Sequence, residues 1–274
     1  MNYHINTVNV LIYHKHKGGN KIKIQESTAI VSGGASGLGL ACVRKLTDMG
    51  ADVAIFDVAE KQGQDLANEY GKSVIFCNTD VSDEKSVQQS VDKAFDTFGK
   101  LNIVINCAGI GFPSKVLTKE GPISIEKFNR TIQVNLIGSI NVIRLAAEKI
   151  VENEPNQDGE KGVVINTASI AAFEGQVGQV AYSASKAGIV GMTLPVAREF
   201  ANYGIRVLTI APGLFDTPML AGVPEKARTA IVKAIPFPKR LGKPSEYADL
   251  AMHIIQNPIL NGETIRIDSA IRMI

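Results

Sequence analysis

The stretch "AYSASK" at 181–186 sets a phenol, Tyr182, and an ammonium, Lys186, four residues apart with only small side chains between them. On a helix those two positions share a face. A tyrosine hydroxyl titrates near 10, about three units too high for an effective base at neutral pH, and a neighbouring ammonium favours the phenolate. Ser169 lies 13 residues before Tyr182, and the loop "IAAFEGQVGQV" can bring its hydroxyl beside the phenol. A base, a cation that lowers its pKa and a hydroxyl that fixes a substrate oxygen suit proton transfer at an alcohol or carbonyl. Such transfer is coupled to hydride movement to or from a bound nicotinamide. Alone, the pair would read as a surface tyrosine beside a solvated lysine. The small size of Ser183, Ala184 and Ser185 predicts a nicotinamide lying close to that turn.

A second constellation supplies the cofactor. "SGGASGLG" (32–39) follows an apolar run and opens a helical pattern, with glycines at 33, 37 and 39. Glycines there let the backbone turn tightly and approach a pyrophosphate, and a helix amino terminus offers free N–H groups and a positive dipole end. Asp57 follows Gly39 by 18 residues at the end of the second apolar run. A carboxylate there can hold both ribose hydroxyls of an adenosine and repels a 2′-phosphate, which predicts NAD over NADP. Asp80 and Val81 close the third run, and Asn106, Cys107, Ala108 and Gly109 close the fourth, where an adenine and its linker would cross.

These residues need a frame that brings strand ends together. Short β-branched runs at 28–31, 53–56, 74–77, 103–106, 163–166, 207–210 and 264–267 alternate with helix-length segments such as Leu38–Met49, Glu60–Tyr70, Asp83–Phe98 and Ile125–Glu152. Runs apolar throughout suit parallel strands buried on both faces. The alternation predicts an α/β chain: one domain with a Rossmann-type, doubly wound, seven-stranded parallel sheet. Three stretches exceed that plan. The polar loop 111–124 sits at a carboxyl end and is a candidate for substrate contact. The loop 153–162, "NEPNQDGEKG", sits at an amino end and predicts a remote surface or interface role. The proline-bearing segment 212–245 has the length of a mobile lid.

The chain has 274 residues and a net charge of +2, which gives no general reason to expect a nucleic-acid partner. Residues 1–25 carry Lys15, Lys17, Lys21 and Lys23 with no acidic residue, leaving 25 basic against 27 acidic groups beyond them. We read 1–26 as an amino-terminal extension, a targeting segment or an unstructured leader, and 27–274 as the domain. The three cysteines, Cys42, Cys77 and Cys107, fall in apolar patterns without metal-ligand spacing and read as reduced core residues, with no metal site. No uncharged apolar run reaches the length of a membrane span.

At these residues the sequence resembles the short-chain dehydrogenase/reductase family, which pairs a Thr-Gly-x-x-x-Gly-x-Gly loop with a Tyr-x-x-x-Lys helix, an earlier Ser and an Asn on the preceding helix. Ser32 stands for the usual Thr, and Cys107 stands where a second Asn is common. Asn135, in "QVNLIGS", matches the family's catalytic Asn. Stretches such as "NCAGI", "NVIRLAA", "GIRVLTIAPGLFDTP" and the odd 153–162 loop resemble a branch of that family acting on acyl-CoA thioesters, over roughly 27–274. The resemblance implies a homotetrameric, NAD-dependent oxidation of the 3-hydroxyl of short or branched acyl-CoA, with tolerance of hydroxysteroids and a mitochondrial rather than cytoplasmic address. It implies Tyr182 as general base, Lys186 on the nicotinamide ribose, Ser169 orienting the substrate oxygen and Asn135 holding a relay water. It implies further that Ser36, Leu38, Asp57, Asp80, Val81, Cys107, Pro212 and Gly213 contact the cofactor. Phe215 and Thr217 would close over the nicotinamide end, and Gln176 would line the substrate pocket. Two other readings are a 3-oxoacyl-carrier-protein reductase, which usually works with NADPH, and a mitochondrial tRNA-processing scaffold role alongside catalysis.

Overall fold

Seven strands form one parallel sheet in a computed structural model that describes residues 21–221, 229 and 232–273. In chain order the strands are β1 (Thr28–Ser32), β2 (Asp52–Asp57), β3 (Val74–Asn78), β4 (Ile103–Asn106), β7 (Gly162–Thr167), β8 (Ile205–Pro212) and β9 (Thr264–Ile267). Two further strands, β5 (Leu117–Thr118) and β6 (Gly121–Pro122), make a separate antiparallel ribbon. The sheet order β3-β2-β1-β4-β7-β8-β9 reverses direction between β1 and β4. A cleft opens at the carboxyl ends of strands on either side of such a reversal.

The predicted strands are all present, because apolar runs such as "VAIF" and "VVIN" bury both faces. Helices α1 (Gly37–Asp48) and α8 (Pro244–Gln256) cover one face. Helices α3 (Glu84–Phe98), α5 (Gly138–Ile150) and α6 (Val180–Phe200) cover the other. The helix α2 (Glu60–Tyr70) matches its predicted bounds, ended by Gly71 at φ +63°. The helix predicted over 125–152 is broken: α4 (Ile125–Ile132) runs into a π-helical turn, Gln133–Ile137, before α5. Ser139 Oγ donates to the Asn135 carbonyl at 2.7 Å, so a side chain takes a main-chain acceptor where the helical ladder is displaced.

The domain starts earlier than its predicted first residue. Ile24 is 1 % exposed and Ile22 packs beside it, so 22–26 belong to the folded body. The lid prediction for 212–245 falls partly outside the described residues. Within them, Phe215 bridges to Gly242 and α7 (Pro218–Ala221) begins the crossing. The 111–124 loop is more ordered than predicted, carrying the β5–β6 ribbon with Thr118 Oγ1 donating to the Gly121 carbonyl at 3.0 Å.

The 153–162 loop is at the amino ends, far from the cleft, as its position implies, but it has an internal task. Asn156 Oδ1 accepts from the Asp158 and Glu160 N–H groups at 3.0 and 2.9 Å. That turn delivers Glu160 to Arg206 on β8, where Oε1 accepts from Nε at 2.6 Å with both side chains buried. Arg206 also donates to the carbonyls of Ile254, Ile255 and Leu260 at 2.9–3.0 Å, which closes the carboxyl end of α8.

Candidate active site

The glycine-rich loop is shaped to receive a dinucleotide. Gly33 has φ +67°, and a Cβ there would meet Ala108 N at 2.7 Å; a Cβ on Gly39 would meet the Gly33 carbonyl at 2.2 Å. Loop, strand end and α1 amino terminus are thus backbone against backbone, with Ser36 exposed at the cap and making no side-chain capping bond. Helix α1 has no acidic residue in its first turn, so its dipole is uncompensated by the chain. Thr217 lies over the loop, its methyl 3.5 Å from where a Gly37 Cβ would stand, and Leu38 is half-buried beside it. This cradle fits a pyrophosphate-bearing cofactor, and Gly33, Ser36, Gly37, Leu38, Gly39 and Thr217 are the residues that would hold it.

Asp57 ends β2 beside this loop. Its Oδ2 accepts from the Ala35 N–H and its Oδ1 from the Ala59 N–H, both at 3.0 Å, which fixes the carboxylate at the cleft edge. Asp80 is held below the usual carboxylate range. Burial works against its charge, but Ser82 donates from N–H and hydroxyl at 2.9 and 2.6 Å, and Arg130 donates to the other oxygen at 3.1 Å. Arg130 has no motif to mark it in the sequence. The Val81 side chain is buried under α5, where Gly138 leaves it room, so only its backbone faces the cleft.

Two of the residues expected at the cofactor turn their side chains inward. The Asn106 carboxamide accepts from Ser32 Oγ at 3.2 Å and donates to Asn166 Oδ1 at 2.9 Å, inside the sheet. The three side chains stand in register on β1, β4 and β7 and brace the strand ends from behind, so Asn106 has no donor left for a ligand. Phe215 is likewise buried, its ring edge-on to Tyr247 at 6.4 Å, because the Phe215–Gly242 bridge turns it into the core. Thr217 alone of that pair reaches the glycine loop. Pro212 ends β8, and Gly213 is pressed against Asp268, where a Cβ would meet Cα at 2.8 Å. Cys107, half-buried, accepts from Thr167 Oγ1 at 3.4 Å and touches the Cys42 thiol, which burial and that contact push up.

The reacting groups gather where β4 and β7 end and α6 begins. Ser169 caps a short 3₁₀ turn, its Oγ accepting from the Ala171 N–H at 3.1 Å, and its hydroxyl faces that of Tyr182 and favours the phenolate. Lys186, buried, donates from Nζ to the Thr167 carbonyl at 2.7 Å and lies 5.8 Å from the centre of the Tyr182 ring. Asn135 sits in the π turn. Its Nδ2 donates to the Ile110 carbonyl at 2.9 Å and to Ser185 Oγ at 3.0 Å, while Oδ1 accepts from the Ile110 N–H at 2.8 Å. Both amide donors are used, so a relay water would meet the remaining lone pairs of its oxygens. Gly109 passes over the group, its missing Cβ 3.4 Å from Asn135 Oδ1 and 3.5 Å from Lys186 Nζ.

The small residues of "AYSASK" have other reasons than the one predicted. Ser183 abuts Gly175, Ala184 is exposed, and Ser185 ties Asn135 to the helix by donating to the Tyr182 carbonyl at 2.7 Å. The electrostatics also differ. Burial pushes the Tyr182 hydroxyl up, opposed by the Ser169 hydroxyl, while the Lys186 ammonium donates to the Thr167 carbonyl. Burial pushes Lys186 down to about 8 from 10.5, with the Cys107 sulfur opposing. Between those two values the unfolded chain binds more protons at this site than the folded chain, so the site's contribution to stability rises with pH. The stability of the wild type relative to Lys186→Met, from urea titrations, should therefore rise from pH 8 to 10.5. A flat difference would contradict the burial of an ammonium.

A groove of about 410 Å³ opens along the segment that joins the Ser169 turn to α6, lined by Ser114–Val116 and by the stretch from Gly175 to Val180 with Ser183. Gln176, the residue expected to line a substrate pocket, and Lys115 are both on its wall. Gly111 lies against the Tyr182 ring, its missing Cβ 3.7 Å from the ring edge.

A glycine cradle at the β1–α1 turn, a carboxylate at the end of β2 and a Ser–Tyr–Lys group beyond β7 define an oxidoreductase using a nicotinamide dinucleotide. Residues 27–228 match the family described as short chain dehydrogenase, and the chain belongs to it. It is 52% identical to the 3-hydroxyacyl-CoA dehydrogenase type-2 of Drosophila melanogaster over 252 residues, covering 91% of this chain and 99% of that protein. It is 53% identical to the Homo sapiens protein of that name over 247 residues, 89% and 95% of the two chains. The crystal structure of 3-hydroxyacyl-CoA dehydrogenase type-2 from Mycobacterium avium matches with a TM-score of 0.88 at 42% identity, covering 92% of this chain and 98% of that one.

Proposed function

We propose that this protein oxidises 3-hydroxyacyl-CoA thioesters to 3-oxoacyl-CoA with NAD. The observation that carries the reading is the Ser169–Tyr182–Lys186 group at the end of β7, with the chain between Ser169 and Tyr182 lining a groove whose walls offer Val116, Val177 and Val180 with Lys115. Such a groove suits an acyl chain on a long, phosphate-bearing thiol. The near-full-length similarity to relatives named for that activity supports the substrate class.

Ser169 Oγ and the Tyr182 oxygen together hold the substrate hydroxyl. Tyr182, ionised, takes its proton. A nicotinamide held in the cradle would supply the acceptor for the hydride leaving the hydroxyl-bearing carbon. Lys186 has its Nζ on the Thr167 carbonyl and two further protons for the nicotinamide ribose. Asn135, clamped by Ile110 and Ser185, keeps α6 in register with the end of β4.

Asp57 supports NAD over NADP. Asp57→Ala should reduce the preference for NAD by about ten- to a hundred-fold, since like charges facing each other cost a few kcal/mol. Paired kcat/KM values with the two cofactors check it. An unchanged ratio would place the discrimination elsewhere, and a wild type preferring NADPH would favour the carrier-protein reductase reading. A kinetic panel of 3-hydroxyacyl-CoAs of rising length against a hydroxysteroid tests the substrate class. Homotetramer assembly, proposed from the family resemblance, is read by light scattering, and a mitochondrial address, supported by the acid-free basic leader, by cell fractionation.

A further inference from the structure

We infer that Glu174 and Arg266 form a clamp that holds one wall of the substrate groove, so that this ion pair sets the affinity for the acyl-CoA rather than the rate of its oxidation. The inference rests on the groove reading given under the proposed function. The wall is the segment from Gly175 to Val180, between the turn that carries Ser169 and the helix that carries Tyr182. Its ends are fixed by the sheet and by α6. Two ties hold it to the rest of the protein, one within the segment and one at the residue before it, beside whatever Gln176 contributes. One is the Ser114 N–H donating to the Gly178 carbonyl at 2.8 Å, which joins the wall to the opposite side of the groove. The other is at Glu174, where the chain leaves the Ser169 turn.

There Arg266 of β9 donates Nη1 to Oε1 at 2.8 Å and Nη2 to Oε2 at 2.9 Å, a two-pronged pair. The arginine is itself immobilised. Its Nε donates to Asp268 Oδ2 at 2.7 Å, and its Cζ lies 5.2 Å from the centre of the Phe173 ring. Asp268 also receives Arg272 Nη1 at 3.0 Å, across a turn in which Ser269 and Ala270 have φ of 54° and 60°. Arg272 reaches Glu174 as well, at 3.4 Å. Four charged groups of alternating sign thus join the carboxyl-terminal tail to the groove wall, with Glu174 and Arg266 side chains only about a quarter exposed. Gly175 follows with no room for a side chain, since a Cβ would lie 2.3 Å from Ser183 Oγ, so a displacement of Glu174 is passed to the wall against α6.

Glu174 and Arg266 are positioning residues, and their effect should fall on one kinetic constant. Glu174→Gln should raise KM for 3-hydroxybutyryl-CoA on the order of ten-fold, with kcat and the KM for NAD within about two-fold of wild type. Arg266→Lys should do the same, because an ammonium keeps the charge but cannot make the paired contact. The double variant Glu174→Gln/Arg266→Lys should be no worse than either single one. In the same variants the amides of 174–179 should exchange hydrogen faster than in wild type. An unchanged acyl-CoA KM in folded Glu174→Gln, or equal rises in both KM values, would overturn the clamp. If the wild type oxidised no 3-hydroxyacyl-CoA, the proposed function would fall. The clamp would still be decided by exchange, and unchanged exchange at 174–179 would overturn it.

Discussion

Tyr182→Phe should lower kcat for 3-hydroxyacyl-CoA oxidation by about 10²–10⁴-fold, the contribution of a positioned acid–base group. The ring stays and only the hydroxyl goes, so the ring's packing beside Gly111 and cofactor binding should persist. The size of the effect follows from what else faces the substrate oxygen. Ser169 Oγ can orient it but is a poor base, Lys186 is turned to the Thr167 carbonyl, and Asn135 has both amide donors engaged. Among the described residues no second group stands ready to take the proton. NADH fluorescence would show binding retained while single-turnover kinetics show the chemical step lost. A variant with near-normal turnover would remove Tyr182 from the mechanism.

Arg206→Ala should destabilise the protein by about 3–5 kcal/mol, the cost of leaving a buried charge without its partner. The loss is compound. Glu160 keeps its buried position, and the carbonyls of Ile254, Ile255 and Leu260 lose their donors. Burial already pushes the Glu160 carboxyl up, against the pull of Arg206. With the arginine gone its folded pKa rises further above the unfolded value. The neutral form is then tolerated below the unfolded pKa, and stability falls as pH climbs through the folded one. The penalty should therefore shrink on acidification through the carboxylate range. Thermal melts should show a drop of roughly 10 °C at neutral pH, smaller in acid. Turnover of the folded fraction should change little, because Arg206 lies at the amino ends of the strands. A penalty independent of pH would contradict the orphaned-carboxylate account.

The sheet was legible because its strands are apolar on both faces, and a run such as "VVIN" has few other places to go. The cofactor loop and Asp57 were legible for a related reason, since backbone proximity requires glycine and a strand end needs one carboxylate. What escaped depends on contacts between distant elements. Arg206 opens a strand that begins earlier than predicted, and no local pattern tells a buried arginine from a solvated one; its partner comes from a loop 46 positions away. The π turn at Gln133–Ile137 rests on Ser139 and on what Asn135 must reach, neither visible in helical periodicity. Phe215 was placed at the nicotinamide by the family resemblance, and the inward turn of its ring follows from the pairing with Gly242. The Tyr182–Lys186 spacing located the site but not its electrostatics. Helical proximity pointed to the phenol as the partner of the ammonium, and the Thr167 carbonyl, from a distant strand, is the acceptor it meets.

The central claim is tested most directly by kcat/KM for 3-hydroxybutyryl-CoA measured with NAD and with NADP on the wild-type protein. The account predicts turnover with NAD and a preference over NADP of at least about a hundred-fold, from a carboxylate facing the ribose. Absence of turnover with NAD, or equal or better turnover with NADP, would contradict it.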